Sequence, residues 1–448
     1  MKKSILLLLS LMLCLILSPR VYAETVEKDK AFYEVNADGQ TVSLESITDN
    51  EQKETYRIPE KVEVNGKTYT VTAVKGGIFY AKKIVIPATV KQIDFGGVNW
   101  GDKELEVAPG NPVYKVKYNI LYTADGKTVV FSSKQSGTVK IADGVKTIAG
   151  EAFHGSDLTA LELPKSLEKI DKLDIDDRLV EEKGAFENCT KLRRIKVSAK
   201  NPYMMEKAGA LYTKNGKKLL YAGVAKGTLM LPKKTTQIAA NAFYGNTTVE
   251  TVFIQGKMKK LAKKSLAFSR IKDVTLPDSL EEIEEGAFMY CSKLADVEIP
   301  KSVKKVGANA FDGCYELERV VLPKKLTTLE KETFRNCYSL RKIDLPKSLR
   351  TIKAGTFESC GFNQLVIPKS VKSIGKNALQ VTTKKLIFKG KNVPKIAKQD
   401  ACQYGKYAGN TDPDFDLGGC AAGLYRHSVS DAAWYWKGKR AGREYRKI

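Results

Sequence analysis

Between Ile271 and Leu379 one pattern recurs with a fixed step. It runs Leu294-x-x-Val297-x-Ile299-Pro300-x-x-Val303-x-x-Val306 and continues to Ala310-Phe311 and Cys314. Pro277, Pro300, Pro323 and Pro346 lie 23 residues apart, as do Cys291, Cys314, Cys337 and Cys360, and Phe288, Phe311, Phe334 and Phe357. A unit this short cannot enclose a core, so successive units must bury each other's apolar faces by stacking.

The residue order inside one unit gives its shape. Val297-Glu298-Ile299 alternates apolar and polar residues, as in a half-buried strand. Pro300 closes that strand, because it has no N–H for a ladder. Val303 and Val306 form a second apolar pair. Gly307 to Phe311 reads as a turn or short helix on the back, with Phe311 in the core. A period in the roughly 20–29 range headed by Leu-x-x-Leu-x-Leu predicts a β-rich leucine-rich repeat solenoid.

The two ends of the chain are different. Residues 1–23 read as an export signal: Lys2 and Lys3, an apolar run from Ile5 to Leu17, Pro19, and Val21-Tyr22-Ala23 before a cut between Ala23 and Glu24. No later stretch approaches 18 consecutive apolar residues, so no further span is expected after signal removal. Residues 24–80 read as an N-terminal β cap, with hairpin signals at Asp38-Gly39 and Asn65-Gly66. A solenoid needs capped ends, since an open end exposes core and strand edge.

The repeat array is expected over 81–390, starting near Ile84-Val85-Ile86-Pro87. It is interrupted twice in the same way. Asn111-Pro112 leads to Leu121-Tyr122-Thr123-Ala124-Asp125-Gly126, and Asn201-Pro202 leads to Leu211-Tyr212-Thr213-Lys214-Asn215-Gly216. Both predict hairpin units, near 111–131 and 201–221. An acidic insertion surrounds Asp174, and the coil from Phe268 to Pro277 is three residues short. Residues 391–448 leave the pattern and read as a C-terminal cap with a basic aromatic tail: Trp434, Trp436, Lys437, Lys439, Arg440, Arg443, Arg446 and Lys447.

The unit from Cys291 to Phe311, Cys-x-x-Leu-x-x-Val-x-Ile-Pro-x-Ser-Val-x-x-Val-Gly-x-x-Ala-Phe, resembles the BspA-like leucine-rich repeat surface proteins of bacteria. The leading segment through Val64-Asn65-Gly66-Lys67-Thr68-Tyr69 and the paired Asn-Pro and Leu-Tyr-Thr units look similar as well. The resemblance implies a surface or secreted protein, and some similar proteins bind host matrix proteins or act as adhesins. No wall-sorting motif or surface-layer module is visible.

The chemistry-bearing residues point away from catalysis. Cys189, Cys291, Cys314, Cys337 and Cys360 share one slot after the coil's Phe, and Asn246 takes the same slot. Side chains stacked in one slot point the same way. Buried free thiols are therefore expected rather than bridges, and four ligands along a ladder cannot make a tetrahedral metal site. Cys402 and Cys420, outside the ladder in an exported tail, are the candidate disulfide. Cys402 with His427 is the one Cys–His pair a nucleophilic centre would use, but no context for an orienting group or oxyanion hole surrounds them. Asp412, Asp414 and Asp416 alternate as in a calcium loop but lack its Gly and Glu positions. No cofactor motif appears.

The remaining candidates are surfaces. The outward columns of the strands supply Arg194, Lys196, Asp273, Asp296, Glu298, Arg319, Lys342 and Asp344 as a candidate partner-binding face. Drawn from the sequence, these columns mix charges and hold no aromatic residue. The net charge of +24 falls to +21 without Lys2, Lys3 and Arg20, and it favours anionic partners. Export argues against nucleic acid. The reading is thus a non-enzymatic scaffold binding protein or an anionic envelope polymer. Electrostatic attachment to a cell wall is the alternative, and a Cys–His enzyme the weaker one.

Overall fold

The computed structural model describes residues 25–397 except 50, 79, 95–97, 100–102, 134, 151, 171–184, 187–188, 190, 384–385 and 391–393, together with the strands Tyr425–His427 and Ala433–Trp436. The export signal with its cut at Ala23 and Glu24, the acidic insertion around Asp174, and Cys402, Cys420 and the Asp412–Asp416 alternation lie outside the described residues.

Each repeat is one coil of a β-solenoid with three sides. The front carries a short strand. Asp296–Glu298 pairs in parallel with Arg319–Val321 in the register Asp296↔Arg319, Val297↔Val320 and Glu298↔Val321. The proline turn follows, with the Val303 N–H donating to Pro300 O over 3.0 Å. A second two-residue strand, Lys305–Val306, pairs in parallel with Glu282–Ile283. The back is a run of turns, and the described residues contain no helix. There the Asn309, Phe311 and Gly313 N–H groups donate to Lys331, Thr333 and Arg335 carbonyls in the next coil, each at 2.9 Å. Gly307 sits where the chain passes the previous coil: a Cβ there would lie 2.6 Å from the Glu285 backbone nitrogen.

The core is a set of columns. Phe288, Phe311, Phe334 and Phe357 are fully buried. Their rings stack at 4.9, 5.4 and 5.9 Å, with planes within 10° of parallel. Burying each ring contributes about 1.5–3 kcal/mol, and an aromatic pair adds roughly 0.5–1.5 kcal/mol beyond area. The short coil departs from the sequence expectation. Leu266, not Phe268, occupies the Phe column, because Lys264 and Phe268 take the left-handed backbone positions (φ 52° and 55°) that Gly286 and Tyr290 take one coil later. Ser269 then stands in the Cys slot, and Ile271 follows it one residue sooner than Leu294 follows Cys291. The coil is short by one residue rather than three.

The N-terminal segment joins the array. Ala31–Val35 and Thr41–Ile47 form the expected antiparallel pair, and so do Lys61–Val64 and Lys67–Val74. Asn65 and Gly66 both have positive φ (53° and 75°), as a two-residue hairpin turn with right-handed twist requires. A further strand, Thr25–Lys28, precedes them. Lys53–Arg57 already pairs in parallel with Ala81–Ile86, so the front ladder starts at residue 53.

The two interruptions are three-stranded meanders. Tyr114–Lys117, Ile120–Thr123 and Thr128–Ser132 pair antiparallel in sequence, and Thr128–Ser132 re-enters the array beside Thr147–Ile148. Met204–Lys207, Ala210–Thr213 and Lys218–Tyr221 repeat the arrangement. The Asn of each Asn-Pro pair locks it in place. Asn201 is fully buried. Its amide nitrogen donates to Pro164 O and Leu167 O at 2.9 Å, and its oxygen accepts from the Tyr203 and Met204 N–H groups at 2.8 and 2.9 Å. Asn111 makes the same four bonds to Pro87, Val90, Val113 and Tyr114. The apolar core also changes over at these units. One cluster runs from Val26 to Phe131, a second from Ile120 to Leu211, and a third from Ala210 to Phe388.

Asn201→Ala removes all four bonds and leaves the Leu167 carbonyl and the Met204 N–H without this buried partner, so it should lower the unfolding free energy by about 3 kcal/mol. Urea titration of the purified variant checks this, and a loss under ~1 kcal/mol would contradict the assigned role.

Candidate binding surfaces

The cysteine slot is structural. Cys189, Cys291, Cys314, Cys337 and Cys360 are free thiols. Cys291 Sγ donates to Leu266 O at 3.1 Å, Cys314 Sγ to Phe288 O at 3.1 Å, Cys337 Sγ to Phe311 O at 3.2 Å and Cys360 Sγ to Phe334 O at 3.0 Å. Each thiol thus ties its coil to the one before it. Asn246 fills the slot for the same reason, its amide donating to Gly223 O at 3.1 Å while its oxygen accepts the Thr248 and Val249 N–H groups. The slot selects a short donor, which is why Asn and Ser can replace Cys there. Burial pushes the Cys189 and Cys291 thiols up to about 12 and holds Cys314 and Cys337 far above the ordinary thiol range. A protonated, buried thiol is neither nucleophile nor metal ligand.

The outward columns are exposed as expected at Arg194, Lys196, Asp273, Asp296, Glu298, Arg319, Lys342 and Asp344. Ala160, placed in the same column, is covered. Only part of the set is brought together. Arg319 Nε lies 2.9 Å from Asp296 Oδ1, and Lys342 follows Arg319 in register. Arg194 and Lys196 belong to a separate ladder beside Ala160 and Glu162. The column also has apolar members that the sequence columns omitted: Met230, 57% exposed, opposes Phe253, which opposes Thr275.

An aromatic row was missed altogether. Tyr244, Phe268, Tyr290, Tyr315 and Tyr338 form a continuous series, with ring centroids 4.9, 5.0, 6.2 and 5.4 Å apart. It begins buried at Tyr244 and surfaces at Tyr315 and Tyr338, which are 38% and 53% exposed. Because the front strands run parallel, the row lies along their N-terminal edge, four residues before Arg319 and Lys342. Strict periodicity hides it: Tyr290 precedes its Cys, Tyr315 and Tyr338 follow theirs, and Phe268 precedes Ser269. A search for aromatic residues within two positions of the slot would have found it.

The tail is described only as backbone. Ala433–Trp436 pairs antiparallel with Leu386–Lys389 in the register Leu386↔Trp436 and Phe388↔Trp434, and Tyr425–His427 pairs on its far side. The six basic residues from Lys437 to Lys447 lie outside the described residues. Among the described residues no group of three or more acidic, His or Cys side chains is placed to hold a metal. No helix among them is long and apolar enough to cross a membrane.

The sequence matches the family described as "BspA type Leucine rich repeat region" in six copies, over residues 127–209, 182–277, 217–331 and 259–387. No curated protein matches it in sequence. Similar solved structures include the pneumococcal vaccine antigen PcpA, at 17% identity, covering 84% of this chain and 98% of that one with a TM-score of 0.42. Another is a leucine-rich repeat protein from Eubacterium ventriosum, at 15% identity, 79% and 93% coverage and a TM-score of 0.45. A third is a leucine rich cell surface protein from Faecalibacterium prausnitzii, at 16% identity, 82% and 95% coverage and a TM-score of 0.33.

The buried thiols of the array should resist alkylation in the native protein and react once it is denatured, as mass spectrometry would read. Labelling of native Cys314 at the rate of a free peptide would contradict their burial. The raised thiols also set an alkaline limit. The folded chain keeps protons that the unfolded chain releases from about pH 8.5. Their stabilisation is therefore complete below that pH and is lost progressively as pH rises toward 12. The thermal midpoint should fall over this range, and less so in a Cys189→Ser/Cys291→Ser variant compared with its own neutral value.

Proposed function

The chain belongs to the BspA-type leucine-rich repeat family, and on that premise we propose that it is an exported, non-enzymatic scaffold that binds proteins at a bacterial surface and serves adhesion there. The observation that carries this reading is the exposed pair Tyr315 and Tyr338, stacked at 5.4 Å beside the charged column Asp296, Arg319 and Lys342. Tyr and Arg concentrate binding energy at protein interfaces, and a rigid row loses little entropy when a partner docks. The inert thiols support a scaffold over an enzyme. The strand Ala433–Trp436 lying on Leu386–Lys389 supports reading the end of the chain as a cap, since it occupies the hydrogen-bonding edge of the last front strand. The candidate Cys402–Cys420 disulfide and the basic tail belong to the same proposal. A second reading, attachment to an anionic envelope polymer, is favoured by the net charge of +24.

Protein recovered from the medium should begin at Glu24 by N-terminal sequencing, and an intact Met1 would remove the export element. Immobilised mature protein should bind matrix proteins or isolated bacterial envelopes saturably. A Tyr315→Ser/Tyr338→Ser variant should weaken that binding by about tenfold or more, at ~1 kcal/mol or above per ring, with its thermal midpoint little changed. Saturable binding to none of these surfaces would overturn the proposal.

A further inference from the structure

Charge on this solenoid is arranged column by column, and several columns are neutralised along the axis. Lys259, Glu281 and Lys304 form one run of ion pairs, and Lys260, Glu282 and Lys305 another. Glu281 is held down to about 2 by its bonds to Lys259 and Lys304. Lys353 pairs with Glu330 at 2.6 Å, and Lys293 with Glu316. Charges on adjacent strands are best paired with their opposites, because like charges directly across from each other destabilise a ladder.

One column instead carries a long run of a single sign. The residue after each proline is Lys301, Lys324, Lys347 and Lys369 in four consecutive coils. All four are exposed, and among the described residues none of them forms an ion pair. The same position in an earlier coil is Lys165, which pairs with Asp143 at 3.1 Å, and in the coil just before the run it is Asp278. The nearest acidic side chains in sequence, Glu298 and Asp344, do not reach the column. Lys325 and Lys372 extend the positive edge beside it. The turns are fixed: the Val303, Leu326, Leu349 and Val371 N–H groups donate to the proline carbonyls at 3.0–3.1 Å, and Ser302 and Ser348 hydroxyls donate to Leu280 O and Leu326 O at 2.6 and 2.7 Å. At strand spacing the four ammonium groups cover ~15 Å along the axis.

We propose that this edge, at the C-terminal ends of the front strands, binds a flexible linear polyphosphate-type polymer, a polyol phosphate, laid along the solenoid axis. Lysine offers a compact point charge suited to separate phosphates, where bidentate recognition would call for arginine. No aromatic side chain occurs in 301–305, 324–328, 347–351 or 369–373. The edge therefore lacks the stacking platforms that single-stranded nucleic acid uses. The aromatic row lies along the opposite edge of the same strands, so a protein and a polymer have separate faces. The inference rests on the surface-scaffold reading only for where such a polymer is met.

The test is a titration of the mature protein with fluorescent poly(glycerol phosphate) over a range of salt. Lys301→Gln/Lys324→Gln/Lys347→Gln/Lys369→Gln should weaken binding about tenfold or more and reduce the slope of log K against log salt by about 3, from ~0.7 per phosphate contact. Lys61→Gln/Lys200→Gln/Lys226→Gln/Lys257→Gln removes the same charge from exposed sites elsewhere and should change the affinity by less than about threefold. The first variant's thermal midpoint should not fall, because like charges have been removed. Equal weakening by the two variants would overturn the proposal. So would absence of binding, or tighter binding to heparin or single-stranded DNA than to poly(glycerol phosphate). Each of these leaves the Tyr315 and Tyr338 binding experiment to stand or fall separately.

Discussion

Everything in this molecule depends on the fact that a 23-residue coil cannot satisfy its own backbone. Each coil donates backward from its strands, as Lys304 N–H does to Glu281 O, and forward from its back turn, as Phe311 N–H does to Thr333 O. The Phe column adds apolar burial to the same interface. The short donor after it adds a bond to the preceding coil that no strand pairing provides. Stability is thus a property of interfaces between coils, and surface ion pairs contribute little to it.

That dependence explains what the sequence made legible. Positions that face the next coil are tightly constrained, so Phe, Cys and Pro recur with one step and the solenoid can be read directly. Features governed by side-chain direction are less visible. The aromatic row drifts from two residues before the slot to one after it, because any ring near the turn can reach its neighbour. Phe268 looks like a core residue by type and sits outside the core by backbone conformation, while Leu266 takes its place. The thiol's role as a donor to the preceding carbonyl is not encoded by spacing at all. It became apparent only from Asn246 and Cys291 each donating to a carbonyl of the preceding coil.

The candidate surfaces follow the same logic in reverse. Outward positions are free of stacking constraints, so their chemistry carries information the core cannot. Several columns use that freedom to cancel charge. Two edges of the front strands stand apart: the tyrosines surface at one, and the unpaired lysines line the other. The exposed column predicted from the sequence lies between these edges, and Asp296 and Arg319 of it form an ion pair.

The hairpin units have a wider consequence. Core clusters end and begin at them, with Phe131 and Ile120 on either side of one seam and Leu211 and Ala210 at the other. Strand pairing through each hairpin unit carries the chain across its seam, where no single apolar column is continuous, and an asparagine, the buried Asn201 or the half-buried Asn111, anchors the unit to the block before it. Blocks joined this way exchange little strain, so one block can melt, or be duplicated or deleted during evolution, without its neighbour having to repack. The length of such a protein is then set by counting blocks, and its reach from a surface can change while its edges keep the same chemistry.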